Sequence, residues 1–266
     1  MDYGRYKKLA IERRDSVLTV TLNRPERYNA IDDELHEELG DIFYDIAKDD
    51  ETLVVVLTGA GTAFCAGGDL KAMAEHLRSH GAAGHYLNAA TGKRVVNGML
   101  DLEKPIIAKI NGVAIGLGAT LALFCDISYI ADDTRIGDPH VAAGVVAGDG
   151  GAIIWPQLIG YNRAKEYLMT GDMIPAAEAA AMGLVNHAVP RDELDAAVDA
   201  MAHRLVAGPT DAIRWSKVAT NIGLKQIANS ALDASIAYEI VTMRSASHAE
   251  AIEAFASKRQ PDFTGL

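Results

Sequence analysis

Ala108-Lys-Ile-Asn-Gly-Val-Ala-Ile-Gly-Leu-Gly-Ala-Thr-Leu-Ala-Leu-Phe-Cys-Asp126 carries three local signals in one run. Its beginning continues an apolar segment from Pro105 to Ile110, which reads as a buried strand. Asn111-Gly112 marks a turn, and Gly116-Leu117-Gly118 opens an apolar, helix-favouring segment that ends near Phe124. A strand, a glycine turn and a helix start in that order leave backbone N–H groups unpaired and pointing at one place, which suits an anion. With glycine on both sides of Leu117, no neighbouring side chain bars a ligand oxygen from the Leu117 amide.

The same arrangement occurs upstream. Leu53 to Thr58 is a short β-branched run, the pattern of a strand buried on both faces. Gly59-Ala-Gly61 and Ala63-Phe-Cys-Ala-Gly-Gly-Asp-Leu70 follow, small residues leading toward a helical segment. Two such turns could converge on one oxygen and form an oxyanion hole. Glycine turns between strand and helix are common, so spacing alone equally admits a purely structural reading.

Further out, Val17 to Leu22 alternates with period two, as a half-buried strand does, and Asn23-Arg-Pro25 ends it. From Asp32, an N-cap by residue type, Leu35, Leu39, Ile42, Phe43 and Ile46 form a helical stripe. Strand, helix, strand implies a βαβ unit with a right-handed crossover. His76 to Gly98 is mixed and glycine-containing; it predicts a mobile loop and then a helix reaching Leu102, the region expected to vary with substrate. Ile127 to Ala131 is the next strand, and Gly160 to Thr170 and Pro175 to Met182 read as two short helices separated by Gly171. From Asp192 the pattern is all-helical, with helices over about 210–222, 227–245 and 248–256. The boundary falls near Pro190, giving a core over 1–190 and a helical region over 191–266.

Composition sets outer bounds. The 266 residues, 49% hydrophobic and 23% charged, describe an ordinary globular chain. A net charge of -11 opposes a nucleic-acid partner, since phosphate binding is driven by Lys and Arg. Cys65 and Cys125 lie in apolar sequence and read as reduced, buried thiols, with no histidine spacing to make a metal site. The first residues lack the apolar core of a signal peptide. The longest apolar run, Gly112 to Phe124, is glycine-broken and well short of the ~20 residues that span a bilayer. The expectation is a soluble, cytoplasmic protein with no membrane partner.

Taken together, Leu22-Asn-Arg-Pro-Glu-Arg-Tyr-Asn-Ala30, Val56-Leu-Thr-Gly59, Ala63-Phe-Cys-Ala-Gly-Gly-Asp69, Lys104-Pro-Ile-Ile-Ala108, Asn111-Gly112 and Cys125-Asp126 resemble the crotonase, or enoyl-CoA hydratase/isomerase, superfamily. Leu168-Met-Thr-Gly171, Ala181-Met-Gly-Leu-Val185 and the tail from Ala254 to Phe263 extend the resemblance, in family order, over nearly the whole chain. It implies an α/β fold, a spiral of repeated ββα turns with a C-terminal α-helical trimerisation region. It implies an acyl-CoA substrate, with coenzyme A as part of the substrate, no separate cofactor, no metal, and a homotrimer or dimer of trimers. It assigns the oxyanion donors to the backbone N–H of Gly68 and Leu117. It places Arg24, Arg27 and Ala30 near the phosphates and adenosine, and Ala66, Gly68, Asp69 and Leu70 around the adenine. Lys258 and Phe263 are further CoA contacts, reaching from a neighbouring subunit.

The chain departs from that pattern at the acid/base positions. Where the family's hydratases carry two glutamates, this sequence has Thr120 and His140. Threonine cannot donate a proton near neutral pH, whereas histidine can. Asp149, in the same loop, could orient the His140 ring and stabilise its imidazolium. The alternative is that Asp149 caps a helix beginning at Gly150 while His140 is an ordinary hydrogen-bonded loop residue. The run from Pro139-His140 to Trp155-Pro156 also resembles the camphor-derived β-diketone hydrolases, which use a histidine–aspartate pair without CoA. Against that subgroup, Asp32 replaces one of its histidines, and Ala66-Gly67-Gly68 keeps the CoA-type turn. Three readings follow: an enoyl-CoA hydratase or isomerase with His140 as acid/base, a CoA-independent β-diketone hydrolase using His140 and Asp149, and a non-catalytic acyl-CoA-binding protein. His36, His76, His80, His85, His187, His203 and His248 carry no motif and read as incidental.

Overall fold

The computed structural model describes residues 1–80 and 88–266. Its centre is a six-stranded sheet in the order β1-β2-β3-β4-β6-β9. β1 (Leu9–Arg14) and β2 (Val17–Leu22) form an antiparallel hairpin. β3 (Val54–Gly59), β4 (Ile106–Ile110), β6 (Ile127–Ala131) and β9 (His187–Val189) then add in parallel. A smaller sheet joins β5 (Ala114–Ile115), β7 (Arg135–Gly137) and β8 (Ile174–Pro175).

Parallel strands need crossovers, and helices supply them. α1 (Asp33–Ala47) carries the chain from β2 to β3, and Asp32 caps it by accepting the Leu35 N–H at 2.9 Å. The predicted stripe Leu35, Leu39, Ile42, Phe43 and Ile46 is buried. α2 (Leu70–His80) and α3 (Ala89–Asp101) lie between β3 and β4, and α4 (Leu117–Leu123) between β5 and β6. Of the stretch from His76 expected as a loop and then a helix reaching Leu102, 76–80 are instead the last turn of α2, 81–87 lie outside the described residues, and the helix is α3, ending at Asp101.

Every residue of β3 is buried because the sheet is covered on both faces. Val55 and Leu57 point into the main core with α1 and α3, while Val54 and Val56 pack with Leu194, Val198 and Ala202 of α8 (Leu194–Val206). Between β7 and β9 lie α5 (Gly151–Ile159), α6 (Tyr161–Thr170) and α7 (Ala176–Ala181). The two helices expected between 210 and 245 are one, α9 (Thr210–Met243), followed by α10 (Ala246–Ala256). Gly223, where the sequence suggested a break, faces open space. A glycine inside a helix costs about 1 kcal/mol, which the buried contacts of Ala228, Leu232 and Ile236 outweigh. Strands β1, β5, β7, β8 and β9 were not foreseen: four are two or three residues long, and β1 alternates too weakly to stand out.

Candidate active site

The two glycine turns run side by side. Cys65 N–H donates to Val113 O at 3.0 Å and Ile115 N–H to Cys65 O at 2.9 Å. Ile31 N–H reaches Gly67 O at 2.7 Å, and Gly116 N–H reaches Gly137 O at 3.0 Å, so both turns are fixed from outside as well. The close approach needs glycine: Gly67 has φ +81, and a Cβ there would stand 2.8 Å from Ile115 O. The Gly68 and Leu117 amides take no part in this ladder, and both residues line one inner cavity of about 130 Å³. Burial pushes the neighbouring Cys65 thiol up to about 12, so it is a packing group and not a nucleophile.

His140 and Asp149 line the same cavity. His140 sits on a 3-10 turn, Pro139–Ala143, opened by Asp138, whose carboxylate accepts the His140 N–H. The imidazole is gripped from both ends, Nδ1 by Asp138 Oδ1 and Nε2 by Asp149 Oδ2, the latter at 3.3 Å. Thr120 donates its hydroxyl to Asp149 Oδ1 at 3.3 Å. Gly116, at φ +55, lies beneath the ring, and a Cβ there would come 3.2 Å from His140 Cε1.

Burial alone would strip the proton from His140. Asp138 first and Asp149 second outweigh it, so the imidazole pKa stands well above its ordinary value. Burial would likewise raise Asp149, but the charge and hydrogen bond of His140 hold it below the usual carboxylate range. The pair is therefore an imidazolium beside a carboxylate at neutral pH. Asp149 also takes the Gly151 N–H at the start of α5, so it meets a helix end and His140 at once.

Asp138, His140 and Asp149 offer donor atoms all within 4.8 Å of one another, close enough for a cation. Each ring nitrogen already has a carboxylate partner, which accounts for the cluster as a hydrogen-bonded unit.

Three cavity residues were not read from the sequence as functional. His36 and His248, taken there as incidental, line the inner cavity, and so does Glu239 of α9. Burial holds both histidines below the ordinary imidazole pKa and pushes Glu239 well above the ordinary carboxyl value. The available signal for Glu239 was a glutamate on the same helical face as Ile236 and Met243.

The residues expected around CoA divide into two groups. Arg24 is buried and turned inward, its guanidinium 3.1 Å from both Asp69 and Asp32, with a further bond to Ala30 O. Two carboxylates thus share the charge expected to face a phosphate. Asp69 in turn accepts the Lys71 and Ala72 N–H groups at 3.2 Å and starts α2. Arg27 is exposed, Ala66 and Leu70 are half-buried, Ala30 is buried, and Gly68 and Leu70 line the inner cavity. An outer cavity of about 660 Å³, bounded by α1 and α2, shares Ile31, Asp32, His36 and Met73 with the inner one. Lys258 and Phe263 lie on the surface beyond α10 and belong to the wall of neither.

A mostly parallel sheet with paired glycine turns over a buried histidine–carboxylate cluster defines a protein of the crotonase fold. The sequence model of the enoyl-CoA hydratase/isomerase family matches residues 12–266. The chain is 35% identical over 223 residues to the short-chain-enoyl-CoA hydratase of Clostridium acetobutylicum, covering 84% of each. It is 33% identical over 252 residues to the 1,2-epoxyphenylacetyl-CoA isomerase of Escherichia coli, covering 94% of this chain and 95% of that one. An enoyl-CoA hydratase structure from Mycobacterium avium subsp. paratuberculosis superposes with a TM-score of 0.87 at 28% identity, covering 97% of this chain and 99% of that one. The chain belongs to the enoyl-CoA hydratase/isomerase family and is a crotonase-family enzyme.

Proposed function

We propose that this enzyme adds water to, or shifts the double bond of, a short enoyl-CoA through an enolate whose oxygen is held by the Gly68 and Leu117 N–H groups. The observation that carries the reading is the shared cavity: both amide-bearing residues line it together with His140 and Asp149. Preorganised amides stabilise a developing oxyanion without reorganising, and losing one typically costs roughly 3 to 4 kcal/mol of barrier.

His140 is the acid/base group, and Asp149 completes it. In hydration, water oxygen bonds to the β-carbon, its proton passes to Asp149, and the π electrons move onto the thioester oxygen. The imidazolium then gives its proton to the α-carbon as the enolate collapses. Asp149 returns the water proton to His140 across their hydrogen bond, restoring the pair. Double-bond migration uses the same pair, one member taking the γ-proton and the other supplying the α-proton. Thr120 fixes Asp149 in place of a second glutamate.

For the CoA moiety, Arg27, Ala30, Ala66, Gly68 and Leu70 form the near contacts, with Lys258 and Phe263 supplied by a neighbouring subunit of a homotrimer or dimer of trimers. Arg24 and Asp69 act beneath them, holding the turn.

Calorimetric titration with acetyl-CoA and turnover on crotonyl-CoA test this. Binding with turnover is expected, with His140→Ala lowering kcat by about 10²- to 10⁴-fold and leaving CoA affinity in place. Gly68→Pro, which deletes an N–H, is expected to lower kcat by a comparable factor. Absence of heat at millimolar acetyl-CoA would instead favour the β-diketone hydrolase, for which the His140–Asp149 pair is the supporting observation. CoA binding with no turnover across a panel of enoyl-CoAs would favour an acyl-CoA-binding protein.

A further inference from the structure

The inner cavity has more polar wall than the proposed proton transfers use. Glu239 projects from α9 on the same face as Ile236 and Met243, and it is 2% exposed. Its Oε2 is buried with no hydrogen-bond partner. The His140–Asp149 pair does not satisfy it: both ring nitrogens are taken by Asp138 and Asp149, and the two Asp149 oxygens by Thr120 and His140.

The placement is built. Ser235, one turn earlier on α9, donates its hydroxyl to Gly148 O at 2.9 Å and ties the helix to the loop before Asp149. At Gly148 any Cβ would fall 2.6 Å from Glu239 Cβ and 2.9 Å from Oε2, so only glycine lets the helix close with this carboxyl inside. A buried carboxyl oxygen without a partner is destabilising, and in a ligand cavity the partner that removes this cost is an atom of the ligand.

We propose that Glu239 recognises a second oxygen on the acyl chain, beyond the reacting carbons, so that the substrate is a short acyl thioester bearing a ketone or hydroxyl. The inference rests on the acyl-CoA reading above. The cavity volume limits the chain to a few atoms, on the order of four water-sized groups at about 30 Å³ each. Burial, and then the nearby Asp149, keep the Glu239 carboxyl protonated, so it offers one donor and one acceptor. A neutral carboxylic acid pairs well with a ketone or hydroxyl. A plain alkyl chain seals the site and leaves the acid unpaired, so it is selected against.

The test is calorimetric binding of pentanoyl-CoA and 4-oxopentanoyl-CoA, with butyryl-CoA and 3-hydroxybutyryl-CoA alongside, to wild type, Glu239→Gln and Glu239→Leu. We expect 4-oxopentanoyl-CoA to bind wild type at least about 10-fold more tightly than pentanoyl-CoA. Glu239→Gln, which keeps a donor, should retain most of that preference, and Glu239→Leu should abolish it while still binding pentanoyl-CoA. Equal binding of the two five-carbon ligands to wild type overturns the inference and leaves the acyl-CoA reading intact. A preference for 3-hydroxybutyryl-CoA alone also overturns it, since Glu239 would then serve only the oxygen added in the reaction. No binding of any CoA thioester removes the acyl-CoA reading and this inference with it. Should the leucine variant not fold, the wild-type and glutamine measurements decide.

Discussion

His140 holds its proton because two carboxylates face it, and that fixes how it responds to pH. Its folded pKa is raised, so the imidazolium persists above the ordinary histidine range and is lost only as pH climbs through the raised value. The basic limb of kcat/KM should therefore lie above pH 6.5, and in Asp149→Asn, which removes one of the causes, the His140 ring should titrate at lower pH by NMR. Glu239, whose folded pKa is also raised, affects stability in the same direction as His140. Between the unfolded value of about 4.3 and its raised folded value, the unfolded chain releases a proton that the folded chain keeps, so stability falls as pH rises. Glu239→Gln removes this dependence. Its gain in unfolding free energy over wild type should grow as pH rises from the unfolded value, measured by urea titration over a pH series from about 4 upward. His140 was legible only through the family resemblance, as the residue after a proline where the family's hydratases carry a glutamate. Asp138 and Glu239 were not legible: one looked like a turn residue before proline, and the other belongs to a helix whose inner face emerges only once α9 is seen to be continuous.

At the level of elements, the glycine turns were the most legible part of the chain, since each joins a clear strand to a clear helix start. Their mutual contact was not, because it depends on β5, a strand of two residues. Gly116 links this backbone to the chemistry. At φ +55 and ψ -123 it occupies glycine territory, and Gly116→Ala should cost roughly 1 to 3 kcal/mol of stability. The same methyl would press on His140, so kcat should fall more than CoA affinity, as steady-state kinetics on purified variant would show. A second joint fastens α9 to the sheet: Lys217 Nζ meets Asp126 Oδ2 at 2.8 Å and Lys104 O at 2.9 Å. Asp126 also accepts the Ile106 N–H at 2.7 Å, so β4, the start of β6 and α9 share one carboxylate. Lys217→Met should destabilise by roughly 2 to 3 kcal/mol in thermal unfolding, discounted from a fully buried pair because the Asp126 side chain is 21% exposed.

Over the whole molecule, the C-terminal helices lie against the sheet and also present apolar surface. Leu194, Val198 and Ala202 cover one face of the sheet, while Trp215, Ile222, Tyr238, Val241 and Phe255 are exposed. Scattered exposed hydrophobics are ordinary, but several large ones on consecutive helices suit an association surface. A trimer or dimer of trimers is the expected mass by light scattering, and Trp215→Glu with Val241→Glu should lower it. No helix among the described residues is long and apolar enough to cross a membrane.

One helix thus carries two duties. At about 1.5 Å per residue, the 34 residues of α9 extend roughly 50 Å. Near one end it is pinned through Lys217, and near the other it lends Ile236, Glu239 and Met243 to the acyl chamber. Tyr238 and Val241, among these chamber residues, face outward. A subunit packed against that outer side would therefore rest on the very rod whose inner side walls the cavity.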